Sequence, residues 1–344
     1  MISDFLFRIR PILAQLAVRV AVLQNSGREF RGPCYNPAGG LQIGVTNACN
    51  AACVFCAYRL VKTQSTRKVM TMDMFKRSAF QWRSLGGSHI DFVNAVGEPL
   101  LDTGLLDKIS YARTVGISTL SLTTNGIRLF QAVPALVTSG LTRIDVSMGD
   151  ADKCDYAEVF GVNECESVWC GVESLLQHNA EIGNPCVINL RIRSKHRPSL
   201  TLRSSRFQRI KHYLSEKVRV SFAAEYDTWG GTIPASDLRG VMRHSRPLPN
   251  WKIPCIGLRQ PTICTDGRVR MCGCRFAITD EDELVIGNLN EKVTLGVILE
   301  RTRDLIQRFT SGNRPKICRD CSIYWPMSTK RLLPGTQNGH QVEG

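Results

Sequence analysis

Leu41-Gln-Ile-Gly-Val45 runs through Thr46-Asn-Ala48 into Cys49-Asn-Ala-Ala-Cys53-Val-Phe-Cys56. An apolar run of strand length thus ends in a loop that carries three cysteines at C-x3-C-x2-C spacing. Three thiolates on one loop can converge on a metal centre, and they cannot pair off as three mutual disulfides. Tetrahedral zinc would still need a fourth ligand. A [4Fe–4S] cluster held by three cysteines keeps one iron open for a small molecule. The stretch therefore reads as the first strand of a fold whose loops carry chemistry.

Around it, 43% hydrophobic and 22% charged residues in a chain of 344 are enough for a substantial buried core. No apolar run reaches the roughly 18–20 residues that span a bilayer. Residues 1–24 are apolar but broken by Arg8, Arg10, Pro11 and Arg19, and they lack a small-residue cleavage site. They are expected to form a helix packed on the body of the protein, not a secretory signal. Fourteen cysteines without such a signal point to metal or catalysis in a reducing, cytoplasmic setting. Cys34, Cys154, Cys165, Cys170 and Cys186 are scattered and read as buried thiols; the others fall in an early and a late group. The formal charge of +14 would attract a phosphorylated substrate or an acidic electron donor. Its basic residues are dispersed, with no long Lys/Arg tract, so nucleic-acid binding is not expected.

Outward from the cysteine loop, strand and helix alternate. Helices are predicted over 72–85, 101–115, 130–139, 167–179 and 202–214 from apolar positions at helical spacing. Strands are predicted over 41–45, 89–96, 117–122, 143–146, 186–192 and 218–224. Six β-α units suit right-handed parallel crossovers but are too few for the eight-stranded closed barrel, so the expected class is α/β with an open, partial (βα)6 barrel. In such folds ligands bind at the carboxyl ends of strands, and the unusual loop sequences all lie there. From 226 to 250 the pattern dissolves into Gly, Pro, Ser and Arg, as in a linker or lid. Beyond it, 261–271 alternates around Asp266-Gly267, a hairpin signal, and a helix is predicted over 295–310. The expected organisation is an N-terminal helix and loop (1–40), the barrel (41–250), a small cysteine-rich domain (251–330) and a tail (331–344).

The cysteine spacing, placed after the first strand of a β-α barrel, resembles the radical S-adenosylmethionine (radical SAM) superfamily. That resemblance implies a [4Fe–4S] cluster on Cys49, Cys53 and Cys56 whose open iron chelates S-adenosylmethionine, and one-electron cleavage to a 5′-deoxyadenosyl radical. It places Phe55 near the adenine. Gly97-Glu98-Pro99 resembles the family's Gly-Gly-Glu motif, with Val96 replacing the first glycine. Asn125, Ser147 and Arg193 (or Arg191) fall where the family contacts the cofactor. Taken alone, Thr-Asn-Gly is a turn and Ser147 a polar loop residue.

The late cysteines carry a second resemblance. Cys255 is followed after eleven residues by Gly267 and after four more by Cys272, and Cys318-x2-Cys321 comes later. This is similar to the SPASM/twitch extensions. No cysteine follows Cys321, which resembles the shorter, single-cluster twitch type of the aminocyclitol-oxidising enzyme of butirosin synthesis. It implies one auxiliary [4Fe–4S] cluster on Cys255, Cys272, Cys318 and Cys321, with Cys264 and Cys274 as alternates. Four such thiolates would hold zinc equally well.

The expected activity is radical dehydrogenation of a small hydroxylated molecule, a sugar or aminocyclitol, with the auxiliary cluster taking the electron. A flavodoxin- or ferredoxin-type donor would supply the first electron. Asp227, after the sixth strand, is the candidate base and Trp229 a candidate stacking platform. The alternatives are epimerisation with Cys186 or Cys264 as hydrogen donor, modification of a ribosomal peptide, and a non-catalytic iron–sulfur electron carrier. About forty residues precede the first strand, fewer than a leader-peptide-binding domain needs.

Overall fold

The computed structural model describes residues 13, 16–20, 22–23, 35–61, 67–93, 96–223, 225–226, 229–238, 243–244, 252–273, 282–290, 292–321 and 323–327. The expected base Asp227, the alternate ligand Cys274 and most of the N-terminal helix lie outside the described residues.

Parallel β-α units build the body of the protein. In chain order these are β1 (Leu41–Ile43), α1 (Met72–Ser84), β2 (His89–Phe92), α2 (Leu105–Thr114), β3 (Thr119–Thr124), α3 (Leu129–Thr138) and β4 (Arg143–Gly149). Then come α4 (Lys153–Phe160), α5 (Cys165–Glu181), β5 (Val187–Arg193), α6 (Pro198–Arg203), α7 (Ser205–Ile210) and β6 (Val218–Ala223). β1 to β6 pair side by side in sequence order, all parallel, with β4 and β5 in register from Arg143↔Val187 to Gly149↔Arg193. The sheet stays open, and the fold is a partial (βα)6 barrel.

Period-two alternation sorts the two faces. Ile144, Val146 and Met148 of β4 and Ile188, Leu190 and Ile192 of β5 are fully buried in the hydrophobic core. The alternate residues Arg143, Asp145 and Ser147, with Asn189, Arg191 and Arg193, share the other face. There Arg191 is ion-paired to Asp145 at 3.2 Å and Arg143 to Asp91 at 3.3 Å. The apolar face is covered by helices such as α1, whose Phe75, Ser78, Ala79 and Trp82 are buried at helical spacing. Each large side chain so buried contributes about 1.5–3 kcal/mol.

Differences from the predicted elements have local causes. The helix predicted over 202–214 is two, because Ser204 takes extended backbone and its hydroxyl accepts from Phe207 N–H as the N-cap of α7. The helix predicted over 295–310 divides at Arg301 into α8 (Leu295–Glu300) and α9 (Thr302–Thr310). α4 was not expected. It starts on an Asp152 side-chain cap and ends on Gly161, whose φ of 67° is left-handed.

The late strands do not form a sheet of their own but join the barrel sheet. β7 (Pro261–Ile263) pairs parallel with β1, through Gln42↔Thr262 and Ile43↔Ile263. β8 (Arg268–Met271) and β9 (Val285–Asn288) follow antiparallel, giving one nine-stranded sheet ordered β9-β8-β7-β1-β2-β3-β4-β5-β6. The cysteine-rich segment is therefore an extension of the barrel sheet at the β1 edge. Among the described residues, no helix is long and apolar enough to cross a membrane.

Candidate functional site

The loop after β1 is held from three sides. Ala52 and Val54 donate their N–H groups to the carbonyls of Phe160 and Val159, each at 3.0 Å, so the cysteine loop satisfies the open end of α4. Close approach there requires Gly161, since a Cβ on it would lie 2.5 Å from the Ala52 carbonyl oxygen. Tyr58 closes the loop from within, its phenol oxygen accepting from Cys49 N–H at 3.0 Å. Finally, Ala48 C=O accepts from Glu98 N–H at 2.7 Å, which ties the loop to the end of β2.

The three thiols oppose one another's ionisation. Burial raises the Cys53 thiol well above the ordinary range, and Cys56 and Cys49 add to the rise. Burial likewise pushes Cys56 up to about 11, with Cys49 contributing and Arg193 and Arg59 opposing. Cys49 is raised by burial and by Glu98, while N–H donors from Ala51 at 3.5 Å and the Asn125 amide at 3.8 Å favour its thiolate. Among the described residues, no three donors already have the closeness of a formed metal site. Bringing thiolates together is what a bound cation does, since it deprotonates coordinating thiols outright. The donor set of three adjacent cysteines fits a three-cysteine cluster.

The sequence-derived residues at the ends of β2 and β3 form one network. Gly97 has φ of 123°, which a side chain would strain. Glu98 is 2% exposed, and burial raises its pKa. It accepts from Thr124 hydroxyl at 2.6 Å, Asn125 N–H at 2.7 Å and Leu100 N–H at 3.1 Å. Its carboxylate thus shapes the 124–126 turn. Asn125 carries the connection onward, donating to Asn50 Oδ1 at 2.8 Å beside Cys49.

A second group stands at the ends of β4, β5 and β6. Arg193 donates to Ser147 Oγ at 2.8 Å, and its guanidinium lies over the rings of Phe55 (5.2 Å) and Tyr226 (5.6 Å). Phe55 and Tyr226 stack with centroids 4.4 Å apart. Of the two arginines weighed from sequence, Arg193 faces the cysteine loop and Arg191 is turned to Asp145. Sequence reasoning passed over Tyr226, whose neighbours come from distant strands. Among the described residues its hydroxyl is buried without a hydrogen-bond partner, as is Arg193 Nε. A buried phenol without a partner costs about 1 kcal/mol or more. Tyr226→Phe is therefore expected to raise the stability of the ligand-free chain by about 1 kcal/mol, seen as a higher urea midpoint at unchanged slope. A lower midpoint would contradict this reading. Trp229, expected as a stacking platform, has its indole N–H engaged by the Phe55 carbonyl at 2.8 Å.

The late cysteines gather separately. Cys255 is fixed by Ile256 N–H donating to Trp325 C=O at 2.8 Å. Cys272 sits at a left-handed φ of 68°, and its carbonyl accepts from the buried Arg270 at 2.7 Å. The two flank Gly257, where an added Cβ would lie 3.0 Å from Cys272 Sγ and 3.6 Å from Cys255 Sγ. Burial, then Cys272 and Cys321, push Cys255 up to about 12. Burial, then Cys272, Cys255 and Cys321, push Cys318 up as well. Cys264 is set apart: burial pushes it up to about 11, and its charged neighbours are Arg270, Asp266, Arg268 and Asp282. Four mutually interacting thiols are a donor set that fits a fully ligated cluster or a zinc ion.

Comparison with known proteins bears on the same residues. The model of the Radical SAM superfamily matches residues 43–157. A probable GTP 3′,8-cyclase of Methanococcus maripaludis is 31% identical over 151 residues, which is 44% of this chain and 47% of that one. The match thus spans about half the length of such curated relatives. Among solved structures, BtrN in complex with AdoMet and 2-DOIA superposes with TM-score 0.52 at 15% identity, over 83% of this chain and 94% of BtrN. Streptococcus suis SuiB bound to precursor peptide SuiA also gives 0.52, at 13% identity, over 83% of this chain and 70% of SuiB. At such identities the likeness is one of fold.

Proposed function

We propose, from the match of the Radical SAM superfamily model to residues 43–157, that the chain dehydrogenates a small hydroxyl-bearing substrate, a sugar or aminocyclitol, by a twitch-type two-site mechanism. The observation that carries this reading is the late cysteine set: Cys255, Cys272, Cys318 and Cys321 oppose one another's ionisation, while Cys264 stands apart. When bound, a [4Fe–4S] cluster with S-adenosylmethionine on its open iron supplies a 5′-deoxyadenosyl radical for hydrogen abstraction, and a fully ligated second cluster supplies an acceptor for the electron released as the substrate loses its proton.

The protein's own part is to bind and orient. Cys49, Cys53 and Cys56 hold the first group and the four late cysteines the second. Asn125, kept in place by Glu98, steadies the Cys49 side of the loop. Arg193, braced by Ser147, offers a cation for the ligand's carboxylate beside Phe55. Epimerisation has less support. Cys186 is fully buried and donates its S–H to Leu141 C=O at 3.1 Å, next to the N-terminal end of β5 and away from the loops.

Cys318→Ala with Cys321→Ala tests the assignment. The double variant should still form 5′-deoxyadenosine but yield no ketone, and lose the iron and sulfide of one cluster. Undiminished ketone would remove the electron-accepting role. A second reading, intramolecular cyclisation of a nucleotide, is favoured by the names of the curated relatives. Anaerobic turnover with GTP beside a panel of aminocyclitols separates the two by product mass: no change for a cyclised isomer, a loss of two hydrogens for a ketone.

A further inference from the structure

Three non-glycine residues among those described have left-handed backbone: Asn184, Trp229 and Cys272. Such a conformation costs about 1–2 kcal/mol and persists only where surrounding contacts impose it. Cys272 belongs to the late cysteine set. Trp229 (φ 50°) opens a run of three left-handed residues with Gly230 (φ 66°) and Gly231 (φ 88°).

This run touches both cysteine sites. On one side, Trp229 Nε1 donates to Phe55 C=O at 2.8 Å, between Cys53 and Cys56. On the other, Gly230 is pressed against the one-turn helix Lys316–Arg319: a Cβ on it would lie 2.6 Å from Ile317 O and 2.5 Å from Ile317 Cγ1. Ile317 immediately precedes Cys318, and Gly231 lies within contact of Asp320, immediately before Cys321. The left-handed turn presents the indole to one loop and a bare backbone to the other. No side chain fits between Gly230 and Ile317.

We propose that Trp229-Gly230-Gly231 is a coupling latch that makes the two cysteine sites one mechanical unit. Trp229 is a positioning residue acting through Phe55 C=O, and Gly230 is its seat on the auxiliary side. Order at either set of thiols is transmitted to the other across a few atoms of packed backbone. The inference rests on reading the two cysteine sets as cluster sites, but the contact itself is independent of which metal occupies them.

The test follows, in the full-length chain purified anaerobically, the rate at which each cysteine is alkylated by iodoacetamide in the presence of a chelator, resolved by peptide mass spectrometry. Trp229→Phe removes the indole N–H at Phe55 together with the five-membered ring of the indole. It should nonetheless speed alkylation of Cys318 and Cys321 about fivefold, the factor that corresponds to one net hydrogen bond. Gly230→Ala strikes the Ile317 side and strains the left-handed turn itself, and should speed Cys53 and Cys56 by a similar factor. Cys186, buried elsewhere, should react unchanged in both. If each substitution affects only the cysteines it directly adjoins, or if Cys186 accelerates equally, the latch is refuted. Should Gly230→Ala fail to fold, Trp229→Phe, which keeps an aromatic ring at the position, carries the test alone. Iron and zinc analysis of the same wild-type protein before the chelator is added separately shows whether the two-cluster reading holds.

Discussion

Replacing Cys49, Cys53 and Cys56 together by alanine is expected to abolish cleavage of S-adenosylmethionine, a loss beyond about a thousandfold, while roughly one [4Fe–4S] cluster per chain remains on the late cysteines. The size follows from the chemistry: without those thiolates no iron is held at the mouth of β1, and nothing else in the site can deliver an electron to a sulfonium. Retention of the second cluster follows from the geometry. Cys255, Cys272, Cys318 and Cys321 interact with one another, and the early cysteines are not among the groups that move Cys255 or Cys318. Iron and sulfide counts beside a 5′-deoxyadenosine assay check both halves. Complete loss of iron, or zinc in its place, would contradict the two-cluster assignment.

The second large effect is expected at Arg193. Arg193→Gln removes the guanidinium that rests over Phe55 and Tyr226 and is braced by Ser147 Oγ at 2.8 Å. A charge-assisted hydrogen bond to the ligand's carboxylate contributes about 1.5–3 kcal/mol. Affinity for S-adenosylmethionine should fall about 10- to 150-fold by equilibrium dialysis, with the iron content unchanged. Arg191→Gln, whose partner is Asp145, should leave that affinity within about threefold. Equal losses at the two positions would show that the carboxylate is held elsewhere.

The residues of the candidate site were legible where short spacing and strand-end position coincide. The β1 run with C-x3-C-x2-C marked the first loop, and the loops after β2 to β5 lay where a parallel sheet places ligands. Glu98 was found from its motif, and only packing reveals that its oxygens also accept from Thr124, Asn125 and Leu100. Tyr226 and Trp229 could not be read locally. The Trp229–Phe55 bond joins residues 174 apart, and the Tyr226–Phe55 stack depends on where β6 ends. Similar reasons govern the fold. Helical periodicity continues unbroken through Ser204, so the cap that divides α6 from α7 leaves no trace in the apolar pattern. A hairpin was legible at Asp266-Gly267, but the parallel pairing of its first strand with β1 is a contact across the length of the chain.

The central claim is that this chain holds an iron–sulfur cluster able to cleave S-adenosylmethionine. Anaerobically reconstituted protein mixed with S-adenosylmethionine and dithionite, with no substrate, tests it most directly. The account predicts slow formation of 5′-deoxyadenosine and methionine in equal amounts, absent from the Cys49/Cys53/Cys56 triple alanine variant. A fully iron-loaded protein that forms no 5′-deoxyadenosine would contradict it.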